Sequence, residues 1–161
     1  MGEFARKYSI GNTDELLKLL NKAYADEWIA YFYYQTGAAL LKSLNGKITA
    51  DQLTEMAEDE EEHRKQLCER IVELGGKPVS EWDEISKQAN YPKITYPISE
   101  TDWQGFLRAV LDAERGAIEV YEKLVEFLRQ GNGDPVTFHV IRHILQEEMG
   151  HEEEIETLLG I

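Results

Sequence analysis

Two Glu-x-x-His motifs, one in each half of the chain, constrain the fold more than any other feature. The first spans Glu60 to His63 and the second spans Glu148 to His151. Residues three apart on an α-helix share a face, so each motif directs a carboxylate and an imidazole the same way. Both motifs interrupt apolar stripes of helical spacing, at positions where packing would favour leucine. The stripes contain Leu53, Met56, Leu67, Ile71 and Leu74 in one case, and Ile141, Leu145, Ile155 and Leu158 in the other.

Two further apolar stripes are each interrupted by a single glutamate, Glu27 in the first half and Glu114 in the second. These glutamates precede the first residue of the following Glu-x-x-His motif by 33 and 34 residues, respectively. A tyrosine follows each of them by seven positions, Tyr34 in one half and Tyr121 in the other. The chain therefore consists of two similar halves, each with a Glu helix followed by a Glu-x-x-His helix.

Capping and turn residues predict the ends of four long helices. The short link between the first two makes them antiparallel neighbours. The predicted starts are Asn12 with Glu15, Thr49 with Gln52, Thr101 with Gln104, and Asp134 with Pro135; the predicted ends lie before Asn45-Gly46, at Gly75-Gly76, near Gly131 and at Leu159.

The segment 77–100 breaks the helical pattern with Pro78, Pro92 and Pro97, although Trp82 to Ile85 favours one short helix. Some two dozen residues can extend beyond the ~30 Å length of a bundle helix, so this crossover can leave the second and third long helices parallel. We therefore predict an all-α fold, in which an N-terminal arm at 1–12 precedes a four-helix bundle at 13–161 with its crossover at 77–100.

The composition fits a single acidic domain. The formal net charge of −14 over 161 residues argues against nucleic acid and anionic membranes as partners, and favours cations. No apolar run of about twenty residues is present for a membrane span, and the first residues lack a secretory pattern. Cys68 is the only cysteine, which excludes an intrachain disulfide and fits a reducing compartment. We expect a cytoplasmic protein.

Six polar side chains are expected to converge at mid-bundle. Moving one carboxylate into a low-dielectric interior costs on the order of 20 kcal/mol in the idealised limit. The four glutamates among these six side chains therefore need positive counter-charges. Two divalent ions balance four carboxylates, and mixed oxygen and imidazole ligands suit iron, manganese or zinc. A single histidine on an apolar stripe would favour a core residue, but matched spacing in both halves favours a two-metal site. The predicted ligands are Glu27, Glu60, His63, Glu114, Glu148 and His151.

Two alternative ligand pairs have i, i+4 spacing. Asp59 with His63 and Glu147 with His151 also share helix faces, but Asp59 and Glu147 fall off the apolar stripes and are set aside as direct ligands. His139 and His143 form another i, i+4 pair, which could be a further metal site or ordinary exposed histidines.

At this point the sequence resembles the ferritin-like di-iron carboxylate family, in which two helices supply one glutamate each and two supply Glu-x-x-His. With Glu148-x-x-His151 on the fourth helix, it resembles the bacterioferritin and Dps-like members with a bacterioferritin-type ferroxidase centre. The resemblance implies two irons per subunit, with manganese or zinc as substitutes. It implies that Glu60 and Glu148 bridge the irons, and that Glu27 with His63 and Glu114 with His151 bind one iron each.

The resemblance also gives Tyr34 a catalytic role, since bacterioferritins carry a tyrosine seven residues after the first ligand that can donate electrons. Core packing is the alternative, and Tyr121 has the same two interpretations. The methionine that holds haem in bacterioferritins is Glu61 here, so no haem is expected. The missing fifth helix and the longer crossover favour a shell of twelve subunits over one of twenty-four.

The resemblance therefore implies iron storage and detoxification, with Fe(II) oxidised by dioxygen or hydrogen peroxide and Fe(III) stored in the shell. One alternative is a non-storage di-iron or di-manganese oxidoreductase that reduces peroxide, rubrerythrin-like or catalase-like. Rubrerythrins would carry a further glutamate where Ala117 lies, as well as a cysteine-rich module. Cys68 lacks the partner of the cysteine pair found in some Dps-like proteins. A second alternative is a non-catalytic helical interaction protein.

Overall fold

The computed structural model describes residues 11–91, 93 and 95–161, so most of the predicted N-terminal arm, and Pro92, lie outside the described residues. The described chain is all-helical. None of its helices is both long enough and apolar enough to cross a membrane. The helices are α1 (Thr13–Leu40), α2 (Leu44–Glu73), α3 (Trp82–Gln88), α4 (Trp103–Arg129) and α5 (Pro135–Leu159).

The four long helices form the predicted bundle. Helix α1 packs mainly on α2, and α4 packs mainly on α5. The two pairs meet through α1 with α4 and α2 with α5. The connector between α2 and α4 contains the short helix α3, which packs on α1. The prediction of an all-α bundle with a long crossover and one short helix is confirmed.

Local capping explains most of the helix ends. The Asn12 side chain accepts a hydrogen bond from the Glu15 backbone N–H at 3.2 Å and starts α1. Asp134 accepts from the N–H groups of Val136 and Thr137, and Pro135 occupies the first turn of α5. At the other end of α5, Gly160 adopts the left-handed conformation with φ of 71°. These predicted boundaries are confirmed.

The predicted start of α2 is wrong. Ser43 accepts a hydrogen bond from the Gly46 N–H at 2.9 Å, so the helix begins at Leu44 and its first turn contains Asn45 and Gly46. Thr49 is buried inside this helix. The serine cap outweighs the turn preference of Asn-Gly. The link between α1 and α2 is therefore three residues long. At α4, Asp102 is the N-cap, one position after the predicted Thr101.

The apolar core divides into two clusters, one on each side of a polar layer. Along α1 the order is the cluster from Leu16 to Ala25, then Glu27, then the cluster that begins at Ala30. The other three long helices cross the same three zones. Helix α5 crosses them in the same direction as α1, whereas α2 and α4 cross them in the opposite direction. Both clusters pack around the layer, so the bundle fixes the polar side chains from two sides.

Polar contacts attach the crossover to α1. Asn21 accepts a hydrogen bond from the Val79 N–H at 2.8 Å, and Asp26 accepts from the Tyr91 N–H at 2.8 Å and from the Asn90 N–H. The backbone of the crossover thereby runs beside the polar layer.

Candidate metal centre

The structure brings all six predicted ligands into the polar layer. Each long helix contributes, and every one of the six side chains is buried in the bundle interior. The relative exposures are 3% for Glu27, 1% for Glu60, 0% for His63, 0% for Glu114, 1% for Glu148 and 4% for His151.

The six side chains form two overlapping groups. In each group, one ligand atom from every member lies within 4.8 Å of the others. Glu60 and Glu148 belong to both groups, which is the arrangement of two neighbouring metal positions that share two carboxylates. Glu27 and His63 complete the first group, and Glu114 and His151 complete the second.

Several atoms in this layer are buried without a hydrogen-bond partner. They are Glu114 Oε2, both carboxylate oxygens of Glu148, and His151 Nδ1. The His151 Nδ1 atom is 3.5 Å from Glu114 Oε2. Buried polar groups are nearly always paired, so a cluster of unpaired ligand atoms fits a cation between them. Carboxylate and imidazole donors fit a divalent ion such as iron, manganese or zinc.

Burial and neighbouring charges shift the pKa values of the candidate ligands. Burial raises the pKa of Glu60 well above its usual value, and burial together with the charge of Glu148 raises the pKa of Glu114 to about 8. Burial lowers the pKa of both histidines, but the adjoining carboxylates outweigh burial. They raise the pKa of His63 to about 10 and the pKa of His151 to about 12. The pKa of Glu148 is lowered because these two imidazoles outweigh its burial.

The two buried tyrosines bind glutamates across the halves of the chain. Tyr34 donates a hydrogen bond to Glu114 Oε1, and Tyr121 donates one to Glu27 Oε1. Each tyrosine thus contacts the single-glutamate ligand of the other half. Burial raises the pKa of both phenols well above the usual value, so they remain protonated donors.

Sequence reasoning set aside two outer carboxylates that contact the candidate ligands. Glu147 lies 3.0 Å from His63, and Asp59 lies 3.3 Å from His151. Neither belongs to the two ligand groups, yet both contact a ligand imidazole from the facing helix. The sequence did contain a signal for them: Asp59 precedes His63 by four residues, and Glu147 precedes His151 by the same spacing.

A cavity of about 390 Å³ lies between α1, α4 and the crossover. Glu27, Glu60, Glu114 and Glu148 all line it, so it gives small molecules access to the polar layer. Its walls include small residues of α1 and α4, which leave the space open: Ala23, Ala30, Ala113, Gly116 and Ala117.

The other candidate residues lie apart from the centre. His139 and His143 are exposed, and the ligand groups found among the described residues include neither. His143 Nδ1 is 3.1 Å from Glu147 Oε2. Cys68 is a half-buried free thiol. It packs against the core cluster that contains Leu16 to Ala25 of α1.

Four long helices around a buried layer of carboxylates and imidazoles define a four-helix bundle with a candidate metal centre in its core. The family model for the ferritin-like domain matches residues 17–161, and the chain belongs to that family. It is 30% identical over 148 residues to the DNA protection during starvation protein of Pyrococcus furiosus, covering 92% of this chain and 78% of the relative. It is 28% identical over 137 residues to the bacterioferritin of Desulfovibrio desulfuricans, covering 85% and 70%, respectively.

Solved structures give the same result. A dodecameric thioferritin, the bacterioferritin-related protein from Bacteroides fragilis, is similar with a TM-score of 0.84 and 28% identity, covering 93% of this chain and 87% of that one. Dps from Staphylococcus aureus has a TM-score of 0.85 at 18% identity, covering 94% and 99%. The second likeness concerns the fold alone.

Proposed function

We propose that this protein captures Fe(II), oxidises it with dioxygen or hydrogen peroxide at a di-iron site within each subunit, and stores the Fe(III) product inside a shell. The observation that carries the proposal is the pair of overlapping ligand groups that share Glu60 and Glu148, with unpaired ligand atoms between them. Four carboxylates match the four positive charges of two Fe(II) ions.

In the proposed centre, Glu60 and Glu148 would be shared by the two irons. Glu27 with His63 and Glu114 with His151 would each hold one iron, and the imidazole Nδ1 atoms of both histidines face the carboxylates. The irons supply the electrons, and the protein supplies geometry and charge. Two Fe(II) ions would give two electrons, which with two protons reduce one hydrogen peroxide to two waters, or one dioxygen to one hydrogen peroxide. Manganese or zinc would fit the same donors.

The cavity supports access by small oxidants, because it connects four ligand glutamates with the space between α1 and α4. The acidic composition supports attraction of Fe(II) and mineral nucleation. It also disfavours direct contact with DNA, so any protection of DNA would come from removal of iron and oxidant. The lone Cys68 is in keeping with a cytoplasmic location.

Assembly into a shell is supported by exposed apolar side chains on a surface of otherwise polar helices. The dodecamer named for the Bacteroides fragilis relative favours twelve subunits. The large exposed side chains on α1, α2 and α5 include Phe32 at 57%, Leu44 at 82%, Ile48 at 52% and Val136 at 56%.

Replacing Glu60 and His63 together by alanine tests the centre. We expect the initial rate of Fe(II) oxidation to fall by at least about 100-fold, because a bridging carboxylate and an imidazole are lost. The matched control is Glu62→Ala with His139→Ala, which removes the same groups from exposed positions. Unchanged oxidation in a folded double variant at positions 60 and 63 would overturn the proposal.

Light scattering on the native protein tests storage. A shell of twelve 18.5 kDa subunits has a mass of about 220 kDa and should retain iron after oxidation. A dimer that oxidises Fe(II) with peroxide but retains no iron would favour the non-storage oxidoreductase instead.

A further inference from the structure

The crossover brings a second tyrosine to the metal centre. Tyr91 is hydrogen-bonded through its hydroxyl to the hydroxyl of Tyr34, which in turn donates to Glu114 Oε1. A phenol has one proton to donate, and Tyr34 gives its own to the carboxylate. The Tyr91 hydroxyl must therefore donate to the Tyr34 oxygen. The result is a directed chain from Tyr91 through Tyr34 to a proposed iron ligand.

Specific contacts hold Tyr91 in this position. Its backbone N–H donates to Asp26 at 2.8 Å, and Asp26 also accepts from the Asn90 backbone N–H. The Tyr91 ring lies over Tyr33, with centroids 6.4 Å apart and planes only 16° from parallel. Tyr91 therefore reaches the centre from an anchored segment of the crossover.

The aromatic contacts continue outward from Tyr91. Tyr33 is half-exposed, and its ring centroid lies 5.2 Å from that of Tyr96, which is also half-exposed. The other half of the site lacks this extension among the described residues, because the Tyr121 hydroxyl bonds to Glu27 and to no second phenol. The two halves of the bundle are similar in their ligands but differ in this connection to the surface.

We propose that Tyr91 is a redox-active residue that passes electrons from Fe(II) at the protein surface through Tyr34 to the di-iron centre. This inference rests on the proposed ferroxidase function and adds a second electron route to it. The half-exposed Tyr33 and Tyr96 form the outer end of that route, and Glu114 marks its inner end.

The relay supplies the electrons that two irons lack. Reduction of dioxygen to water takes four electrons, of which the two irons of the centre give two. For each further electron, Tyr34 loses an electron and its phenolic proton towards the centre. The Tyr91 O–H bond then breaks as a hydrogen atom passes to the Tyr34 oxygen, where the O–H bond re-forms. A surface Fe(II) reduces the Tyr91 phenoxyl radical, and a solvent proton restores its hydroxyl.

The overall stoichiometry is balanced: four Fe(II), one dioxygen and four protons give four Fe(III) and two waters. Electron and proton travel together along the hydrogen bonds that join Tyr91 to Tyr34 and Tyr34 to Glu114. Hydrogen peroxide as oxidant needs only the two irons and bypasses the relay.

Rapid-freeze electron paramagnetic resonance tests the relay. Anaerobic protein loaded with excess Fe(II) is mixed with dioxygen, and ring-deuterated tyrosine identifies a tyrosyl signal by its narrowed hyperfine structure. We expect a transient tyrosyl radical in the native protein and none in Tyr34→Phe. In Tyr91→Phe the radical on Tyr34 should persist at least about tenfold longer, because phenylalanine at this position has no hydroxyl hydrogen to give to Tyr34. More hydrogen peroxide should be released, because the further electrons no longer reach the centre.

Tyr24→Phe is the control, because Tyr24 is a buried phenol of the core cluster that packs edge-on against Trp28, outside the chain from Tyr91 to Glu114. It should leave radical lifetime and peroxide release unchanged. NMR of tyrosine labelled at Cζ in the metal-free protein provides a readout without iron. Tyr91→Phe should shift the Tyr34 signal, through loss of the hydrogen bond, and leave the Tyr121 signal in place.

The outcomes separate the two proposals. Absence of rapid Fe(II) oxidation in the native protein would overturn the ferroxidase function, and the relay with it. Normal oxidation without a tyrosyl radical, or with radical lifetime and peroxide release unchanged in Tyr91→Phe, would overturn the relay alone. A change in the oxidation rate without a change in radical lifetime would assign Tyr91 a purely structural role and would also reject the relay.

Discussion

The Nε2 atom of His63 on α2 lies 3.0 Å from Glu147 Oε2 on α5. The reciprocal contact joins His151 Nε2 on α5 to Asp59 Oδ2 on α2 at 3.3 Å. Each imidazole thereby donates its outer N–H to a carboxylate of the facing helix and presents Nδ1 to the centre. An outer carboxylate of this kind fixes the orientation and tautomer of a metal-binding histidine.

Removal of these outer carboxylates should weaken metal binding without unfolding the bundle. For Asp59→Ala and for Glu147→Ala, we expect zinc affinity measured by calorimetry to fall by about 10- to 100-fold. Glu58→Ala is the control, since Glu58 is exposed one residue away and makes no contact with the centre. Native affinity in both outer-carboxylate variants would contradict the orienting role.

The fold and the six-residue layer could be anticipated because one pattern encodes both. Apolar residues at helical spacing define the buried face, and an acid or histidine on that face must point into the core. The same criterion caused the dismissal of Asp59 and Glu147. They lie at the edge of their own helices and reach the facing helix, a relationship that no single-helix pattern contains.

Tyr91 could not be anticipated for a different reason. It lies in a crossover without periodicity, and its approach to Tyr34 depends on Asp26 binding the backbone 64 and 65 residues further along the chain. The start of α2 was misplaced because two local signals compete. Asn45-Gly46 favours a turn, whereas Ser43 caps a helix, and only the capping bond to Gly46 decides between them.

Metal binding should tighten as the pH rises. Without a bound metal, burial is the main cause that raises the pKa of Glu114 to about 8. Neighbouring carboxylates raise the pKa of His63 to about 10 and the pKa of His151 to about 12. Zinc must displace these protons, so affinity should increase from about pH 6 to about pH 8. Calorimetry in buffers of different ionisation enthalpy should show release of at least the two imidazole protons. A pH-independent affinity would exclude this proton-filled centre.

Asp26 should make the metal-free protein less stable as the pH rises. Burial, and then the charge of Glu27, raises its pKa from 3.8 to about 7. Between those values the folded state binds more protons than the unfolded state, so the free energy of unfolding falls with increasing pH. Asp26→Asn keeps an oxygen that accepts from the Asn90 and Tyr91 N–H groups but cannot ionise.

For this variant we expect stabilisation at pH 8 and little change near pH 4. The slope difference between the native protein and Asp26→Asn should not exceed about 1.4 kcal/mol per pH unit, the value for one proton. Urea unfolding of both metal-free proteins at one protein concentration measures it. Parallel pH profiles would show that Asp26 titrates normally.

Arg70 should be essential for the junction of α2 with α5. Its buried guanidinium donates to Thr137 at 2.7 Å and to Asp134, the N-cap of α5, also at 2.7 Å. Arg70→Met would leave the Asp134 carboxylate without its charge partner, and we expect a loss of about 3–5 kcal/mol in unfolding free energy. Arg115 also pairs with two carboxylates of α5 but is half-exposed, so Arg115→Met should not change stability measurably. Similar losses in the two variants would contradict the importance of burial.

Gly37 should be required by the close approach of α1 and α4. A Cβ atom at this position would lie 2.0 Å from Phe106 Cε1. Gly37 is buried, and Phe106 belongs to the core cluster that begins at Ala30 on α1. We expect Gly37→Ala to destabilise the protein by about 1–3 kcal/mol, because the Phe106 ring must leave its packed position.

Gly150→Ala is the matched control within a helix. A Cβ there meets no atom within 4 Å, so the substitution should stabilise by about 0.5–1 kcal/mol through better helix propensity. Opposite signs in denaturant unfolding would support a contact-specific role for Gly37, whereas stabilisation by both substitutions would show that the two helices are not in tight contact at this level.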